Sequence, residues 1–362
     1  MNGDHADNAA AAPAESTPSP LPYNDIGAQR RHYNNAESTP SPLPYNDRST
    51  GLIVFGAMTV GLGCLAGLMV LFMLWQSVAG VGRNAAVTFP TVAPVIITYV
   101  LLAAGLIWLG IGSILARRWA RALLLIFSWS WLVMGVFGLV FLIVLMPQTL
   151  ANMPTRGQMS PAAMGVVMVI VLVVCGVLFV VMPAVWTFFY GSRHVKATCE
   201  WRDPVPRWTD ACPLPVLGLC LWLVISVPMM LVMPMTGRGV APFFGVFLTG
   251  TPDAVFCLAL AAIWLYAAWS LYRLETRGWW LVLIVLCVMM ASSIVTFTQR
   301  DMMEMYRLMG YPEQQMEQIR KSGLANGNSM RWMMSLCMLP MLGYLLFIRR
   351  YLRRSRLASR LD

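Results

Sequence analysis

Residue types able to do chemistry gather in one stretch, GSRHVKATCEWRDPVPRWTDACP, at 191–213. His194, Cys199 and Cys212 are soft or borderline ligands that could seed a zinc site, with Glu200, Asp203 or Asp210 as the fourth ligand. Neither CxxC nor HxxxH spacing is present, so the plainer expectation is two thiols near a membrane surface and no bound metal. A disulfide does not suit the reducing cytoplasmic side on which this stretch is expected. Trp201, Arg202, Asp203, Arg207, Trp208 and Asp210 follow closely on one another. Indoles beside arginines allow cation–π contacts, and the opposite charges can pair. Such a stretch reads either as a recognition surface or gate, or as an interfacial linker with its tryptophans at headgroup depth.

Elsewhere the chemistry is thin. Methionines cluster at Met229, Met230, Met233 and Met235, and again at Met330, Met333, Met334 and Met338. Thioethers bind Cu(I), but alternation with Leu and Val favours packing filler. The other six cysteines, Cys64, Cys175, Cys220, Cys257, Cys287 and Cys337, fall in or at apolar segments and behave as small hydrophobes. Pro228, Pro234 and Pro242 punctuate an apolar stretch that continues into TGRGVAPFFGVFLTGTP at 236–252. That stretch is either a broken or re-entrant segment lining a cavity or a kinked helix followed by an apolar surface loop. Gly63 and Gly67 make one GxxxG, a possible close helix contact. The three histidines are His5, His32 and His194, so no Ser-His-Asp set can assemble, and neither a P-loop nor HExxH occurs. The acids nearest the apolar segments, Asp253 and Glu275, sit at segment ends. The expectation is a protein that is not an enzyme, with no catalytic, cofactor or metal residues to assign.

The elements that hold these residues are long and apolar. Hydrophobic residues make up 58% and charged residues 12%, far below the ~25% charged of globular proteins. A helix of about 20 apolar residues crosses the hydrocarbon core, and eight stretches qualify: 51–77, 92–116, 119–146, 164–190, 214–235, 254–272, 278–298 and 330–348. No charged side chain lies well inside any of them, which removes the usual marks of proton relays. The net charge of +10 is spread over segment ends rather than gathered in a patch, so nucleic acid is not an expected partner. No secretory leader is expected; the first apolar segment should act as an uncleaved anchor.

Eighteen of the 26 Lys and Arg residues fall on one set of alternate connections and tails. The other eight are Arg83, Arg156, Arg238, Arg300, Arg307, Arg320, Lys321 and Arg331. The positive-inside rule then puts both termini in the cytoplasm; arginine outnumbers lysine 24 to 2, which is compatible with a GC-rich bacterial genome, and the expected location is a bacterial inner membrane. IWLGIGSILARRWAR at 107–121 aligns without gaps to IWLYAAWSLYRLETR at 263–277, pairing Arg117 with Arg273 and Arg121 with Arg277. MPAVWTFFYGSR at 182–193 parallels LPMLGYLLFIRR at 339–350, pairing Pro183 with Pro340.

The expected fold is an all-α membrane protein of eight transmembrane helices, as two tandem four-helix repeats in parallel orientation. In order, residues 1–50 form a disordered Pro/Ser-rich cytoplasmic tail, 51–190 the first repeat, 191–213 a cytoplasmic linker, 214–348 the second repeat and 349–362 a basic cytoplasmic tail. AESTPSPLPYND occurs twice in the first tail, at 14–25 and 36–47. It reads as a paired docking motif for a cytoplasmic protein or as a duplication in a segment dispensable for folding. A short surface helix is expected over 312–322, with Met316 and Ile319 on one face. Two functions fit: a permease-like protein for a neutral or apolar solute, or a non-catalytic scaffold or sensor working through tail and linker.

Overall fold

A computed structural model describes residues 46–79, 89–151, 161–235, 239–321 and 340–352. Met330–Met338, Gly323 and all but the last two residues of the duplicated proline motif lie outside the described residues. The chain from Asp47 onward forms one compact unit, and it is mostly helical. Helices α1 (Ser49–Ala79), α2 (Phe89–Ile114) and α3 (Arg118–Ala151) come first. The fourth, α4, runs as Pro161–Gly176, a π-helical turn Val177–Val181, and Met182–Gly191. There follow α5 (Arg193–Arg202), a 3₁₀ turn Trp208–Asp210, and α6 (Leu214–Met235). A hairpin of β1 (Val240–Phe243) and β2 (Val246–Thr249) precedes α7 (Thr251–Tyr272) and α8 (Thr276–Gln299). The short helices α9 (Met302–Leu308) and α10 (Glu313–Lys321) precede α11, at 340–352.

Seven helices are long and apolar enough to cross a membrane among the described residues: α1, α2, α3, α4, α6, α7 and α8. The eighth expected span, 330–348, lies largely outside them. Large apolar side chains such as Val169, Val173, Leu258 and Ile284 are exposed along these helices, as hydrocarbon-facing surfaces require.

With apolar surface everywhere, small residues decide which helices meet closely. On α1 and α2 they are Gly56, Gly63 and Gly110. A Cβ on Gly56 would lie 2.9 Å from the Gly110 carbonyl oxygen, one on Gly110 would lie 2.7 Å from that of Gly56, and one on Gly63 would lie 3.0 Å from that of Ala103. A Cβ on Gly67, the other half of the GxxxG, would meet nothing within 4 Å. The contact thus repeats every seven residues along α1 rather than every four. Buried polar groups add ties between helices. The Ser113 hydroxyl donates to the Leu52 carbonyl at 3.1 Å, so the Tyr190 hydroxyl, 2.8 Å away, donates to Ser113. Trp186 donates its indole N–H to Thr59 Oγ1 at 3.3 Å.

Pro183 explains the π turn in α4. It has no N–H to give the Phe179 carbonyl, and its ring would crowd that oxygen in a regular helix. The chain widens just before it, with the Met182 N–H reaching five residues back to the Val177 carbonyl. The Phe179 carbonyl then faces Gly135 of α3, where a Cβ has no room. Pro228 and Pro234, by contrast, do not break α6, which runs continuously from Leu214 to Met235.

The stretch read either as a re-entrant segment or as an apolar surface loop after a kinked helix contains a β-hairpin. Its turn residues Phe244 and Gly245 have φ of 40° and 91°, two left-handed residues as a tight hairpin turn needs. Their amides donate to Ser292 Oγ and Thr296 Oγ1 of α8, each at 2.9 Å, and Arg300 donates to the Gly245 carbonyl at 3.2 Å. The expected surface helix is present as α10, with Pro312 just before its first residue and Met316 buried. Helix α9 is an addition to the expected elements; Asp301 caps it by accepting from the Met303 N–H at 3.2 Å.

Two cores result. The first joins Leu52, Leu124, Trp186 and Tyr190 with Val195 and Cys199 of α5. The second joins Val216, Leu217, Trp264, Trp279, Leu345 and Ile348 with Cys212. Helix α3 serves both: Leu124 belongs to the first core, while Ile126 packs against the second beside Gly218 of α6. The glycine contacts give a direct test. Gly110→Val is expected to destabilise the detergent-solubilised protein by about 1–3 kcal/mol through overpacking, whereas Gly67→Ala is expected to be neutral or slightly stabilising. Thermal unfolding of the two variants side by side checks this, and equal effects would contradict the assigned interface.

Candidate functional site

The stretch 191–213 is a folded junction rather than a bare linker. Ser192 caps α5, its hydroxyl oxygen accepting from the Val195 N–H at 3.2 Å. Val195, Thr198 and Cys199 recur at helical spacing and are buried. The Arg48 backbone N–H donates to Thr198 Oγ1 at 3.2 Å, and Arg202 lies 3.9 Å from Asp47. Asp47 also accepts from the backbone N–H and the hydroxyl of Ser49, the first residue of α1, each at 3.0 Å. Asp47, Arg48 and Ser49, which fall within the expected tail, are thus held in described contacts.

Asp203 holds the centre. Only 3% exposed, it lies 3.3 Å from Arg207 and 3.8 Å from Arg117. It also accepts from the Arg118 backbone N–H at 3.4 Å. That amide opens α3, so the carboxylate meets the positive end of a long helix as well as two guanidinium groups. Around it, Arg118 pairs with Glu200 at 3.2 Å and Asp210 at 3.8 Å, and Lys196 lies 3.7 Å from Glu200. On the far side, the Tyr272 hydroxyl at the end of α7 donates to the Trp208 carbonyl at 3.0 Å. The α2–α3 corner, the junction and the α7–α8 corner therefore share one end of the molecule.

A cavity of 190 Å³ opens in this junction, lined by Arg118 and Arg121 of α3, Lys196, Cys199 and Glu200 of α5, Thr209 and Asp210 of the 3₁₀ turn, and Cys212 and Leu214 at the start of α6. It sits on the seam, since Cys199 belongs to one core and Cys212 to the other.

The expected chemistry is redistributed here. Both cysteines line the cavity, but His194 is on the exposed face of α5, and no three His, Cys, Asp or Glu side chains gather to hold an ion among the described residues. Burial pushes the Cys199 thiol up to about 11, with Arg121 acting the other way, and burial pushes Cys212 up to about 11 as well. Both are therefore neutral thiols near pH 7, poor nucleophiles and poor metal ligands. Trp201 and Trp208 are exposed, and the cation–π contacts form elsewhere: Arg273 over Trp269 at 4.6 Å, and Arg349 over Trp279 at 5.0 Å. Arg121 and Thr209, which no spacing in the sequence marks as chemistry, are the cavity's unpaired polar groups. Of the two segment-end acids, Glu275 is exposed and accepts from the Ser270 hydroxyl at 3.1 Å, while Asp253 is buried with Oδ2 unpartnered.

Comparison with protein-family models, with characterised proteins and with solved structures finds no match to this chain.

Two outcomes follow from the junction's geometry. Asp203→Asn keeps the shape but removes the charge that two arginines and a helix end face, and is expected to cost about 1.5–3 kcal/mol; thermal unfolding and faster proteolysis at 203–207 would show it. The thiols set an alkaline limit. Their folded pKa lies above the ordinary 9.0, so the folded state keeps protons that the unfolded chain has lost. Stability is then full below about pH 9 and falls as pH rises toward about 11. Cys199→Ala with Cys212→Ala is expected to flatten that fall relative to the parent, and an unchanged slope would contradict the burial of both thiols.

Proposed function

We propose that the protein is a multi-pass membrane scaffold or sensor whose junction of α5, the 3₁₀ turn and the α6 start is its reading surface. The observation that carries this is the placement of the cavity: it lies on the seam between two helical cores, so an occupant touches both at once. Exposed Trp201 and Trp208 are next in sequence to the lining residues Glu200 and Thr209 and give a protein partner an aromatic anchor. In this reading the spans number eight, 330–348 being the last, and the junction and both termini are cytoplasmic. The membrane is the bacterial inner membrane, and the tail docks a cytoplasmic protein.

The tandem arrangement is part of the same proposal, and the corners support it. At the end of α2, Ala116 and Arg117 donate to the carbonyls of Ser113 and Gly112. At the end of α7, Leu274 and Glu275 donate to those of Leu271 and Ser270. Ala116 and Leu274 carry the same left-handed φ, 52° and 60°. Small residues meet eight apart in each corner, Gly112 with Ala120 and Ser270 with Gly278. These bonds coincide at a shift two residues longer than the ungapped sequence alignment, so Arg117 takes the place of Glu275 and not of Arg273.

A second reading, a permease-like protein for a neutral or apolar solute, draws on the buried Asp253 near the outer end of α7. Solute uptake by proteoliposomes, lost in Asp253→Asn, would favour it over the first.

The test of the first reading is made in cells. Impermeant maleimide should label Gln315→Cys from outside and leave Ala10→Cys and Ala358→Cys unlabelled. A photo-crosslinking residue at Trp201 should give one discrete adduct that Asp203→Asn abolishes. External labelling of either terminus, or no adduct in intact cells, would contradict the reading.

A further inference from the structure

The junction cavity holds more hydrogen-bond donors than partners for them. Arg118 is engaged with Glu200 and Asp210, and Lys196 with Glu200. Arg121 forms no ion pair among the described residues, and its buried Nε has no partner. Thr209 is 2% exposed, and its buried hydroxyl is likewise unpartnered. Buried donors left in this state cost free energy, and a structure keeps them where something else arrives to accept. Three cations, Arg118, Arg121 and Lys196, face two carboxylates on the cavity wall, which leaves positive charge over. The same wall carries the start of α6 at Leu214, where the positive end of a 22-residue helix favours negative charge, although Pro213 and Pro215 have no N–H to offer.

Water could satisfy the Thr209 hydroxyl but not the excess charge. The complementary occupant is an anion with several acceptor oxygens, met from different directions by α3, α5, the 3₁₀ turn and the α6 start. A tetrahedral oxyanion matches donors converging in this way better than a flat carboxylate does. The 190 Å³ volume is many times the about 10–15 Å³ that one water needs on the same measure, so it admits such an ion with waters around it.

We propose that this cavity binds a phosphate group, with Arg121 as its charge partner and Thr209 and Lys196 as further donors. The phosphate comes either from a soluble ion or ester or from the headgroup of an anionic lipid, and the chemistry of recognition is shared. Bound there, it ties α3 to the start of α6 and so stiffens the seam between the cores. The proposal deepens the sensing role given to the junction, yet its test reads binding alone.

The full-length protein in phosphatidylcholine nanodiscs is unfolded thermally in inorganic phosphate and in chloride at matched ionic strength. A second arm replaces part of the lipid with phosphatidate, without free phosphate. A higher unfolding temperature in the first arm identifies a soluble ligand, and one in the second arm identifies a headgroup. In whichever arm responds, Arg121→Gln should weaken the apparent affinity about tenfold or more. Its unfolding temperature without ligand should equal or exceed that of the parent, because a half-buried guanidinium whose Nε has no partner has been removed. A merely structural arginine would show the opposite. Lys196→Gln, at an exposed position, serves as the second variant and should weaken the response in the same arm. No shift in either arm, or an undiminished response in Arg121→Gln and Lys196→Gln, overturns the proposal. If the Trp201 adduct persists in that case, the sensing reading stands without this ligand.

Discussion

The buried carboxylate of Asp203 is the interaction on which the shape of this molecule turns. A charge that is 3% exposed is costly unless it is answered, and three groups answer it: Arg117, Arg207 and the first amide of α3. Because the answers come from both the corner and the junction, meeting them fixes the junction against the corner. Arg118 then falls between Glu200 and Asp210, and the 3₁₀ turn is placed beneath α7 where Tyr272 can reach it. A connection that could have been slack becomes an ion-paired strut joining two apolar cores.

Inside the membrane-length helices a different constraint rules. Apolar surface is uniform there and does not select a neighbour, so selection passes to missing side chains and satisfied hydroxyls. Gly56, Gly63 and Gly110 let two backbones approach, and Gly135 receives the carbonyl that Pro183 displaces. Ser113, Thr59, Ser292 and Thr296 supply the few polar ties, and every one of them is buried and bonded. The β-hairpin follows the same logic: its turn amides would be unpaired in an apolar setting, and the two hydroxyls of α8 accept from them.

The membrane-crossing helices are legible in the sequence because hydropathy over 20 residues is a strong, local signal. Seven of the eight expected stretches coincide with helices to within a few residues, while most of the eighth lies outside the described residues. The junction is located by the sequence but not resolved by it. Its helix carries only three buried residues, Val195, Thr198 and Cys199, amid charged neighbours, a weak stripe beside the long apolar runs; Ser192 three residues before Val195 is the available cap signal. The hairpin escapes sequence reading because Phe-Gly is a poorer turn mark than Asn-Gly and both strands are apolar on both faces. The left-handed φ shared by Ala116 and Leu274 at the two helix corners is not legible in the sequence, because alanine and leucine carry no residue-type mark of that conformation. Arg121 and Thr209 become visible only through burial, which no spacing rule reports.

The central claim is that residues 193–210 are a folded strut and not a tether. Amide hydrogen exchange on the full-length protein in nanodiscs addresses it directly. The account predicts that the amides of Val195–Arg202 and Asp210 exchange slowly, protected to a degree comparable with the α2–α3 corner at Ala116 and Arg117. Exchange across the whole stretch at the rate of an unstructured peptide would contradict it.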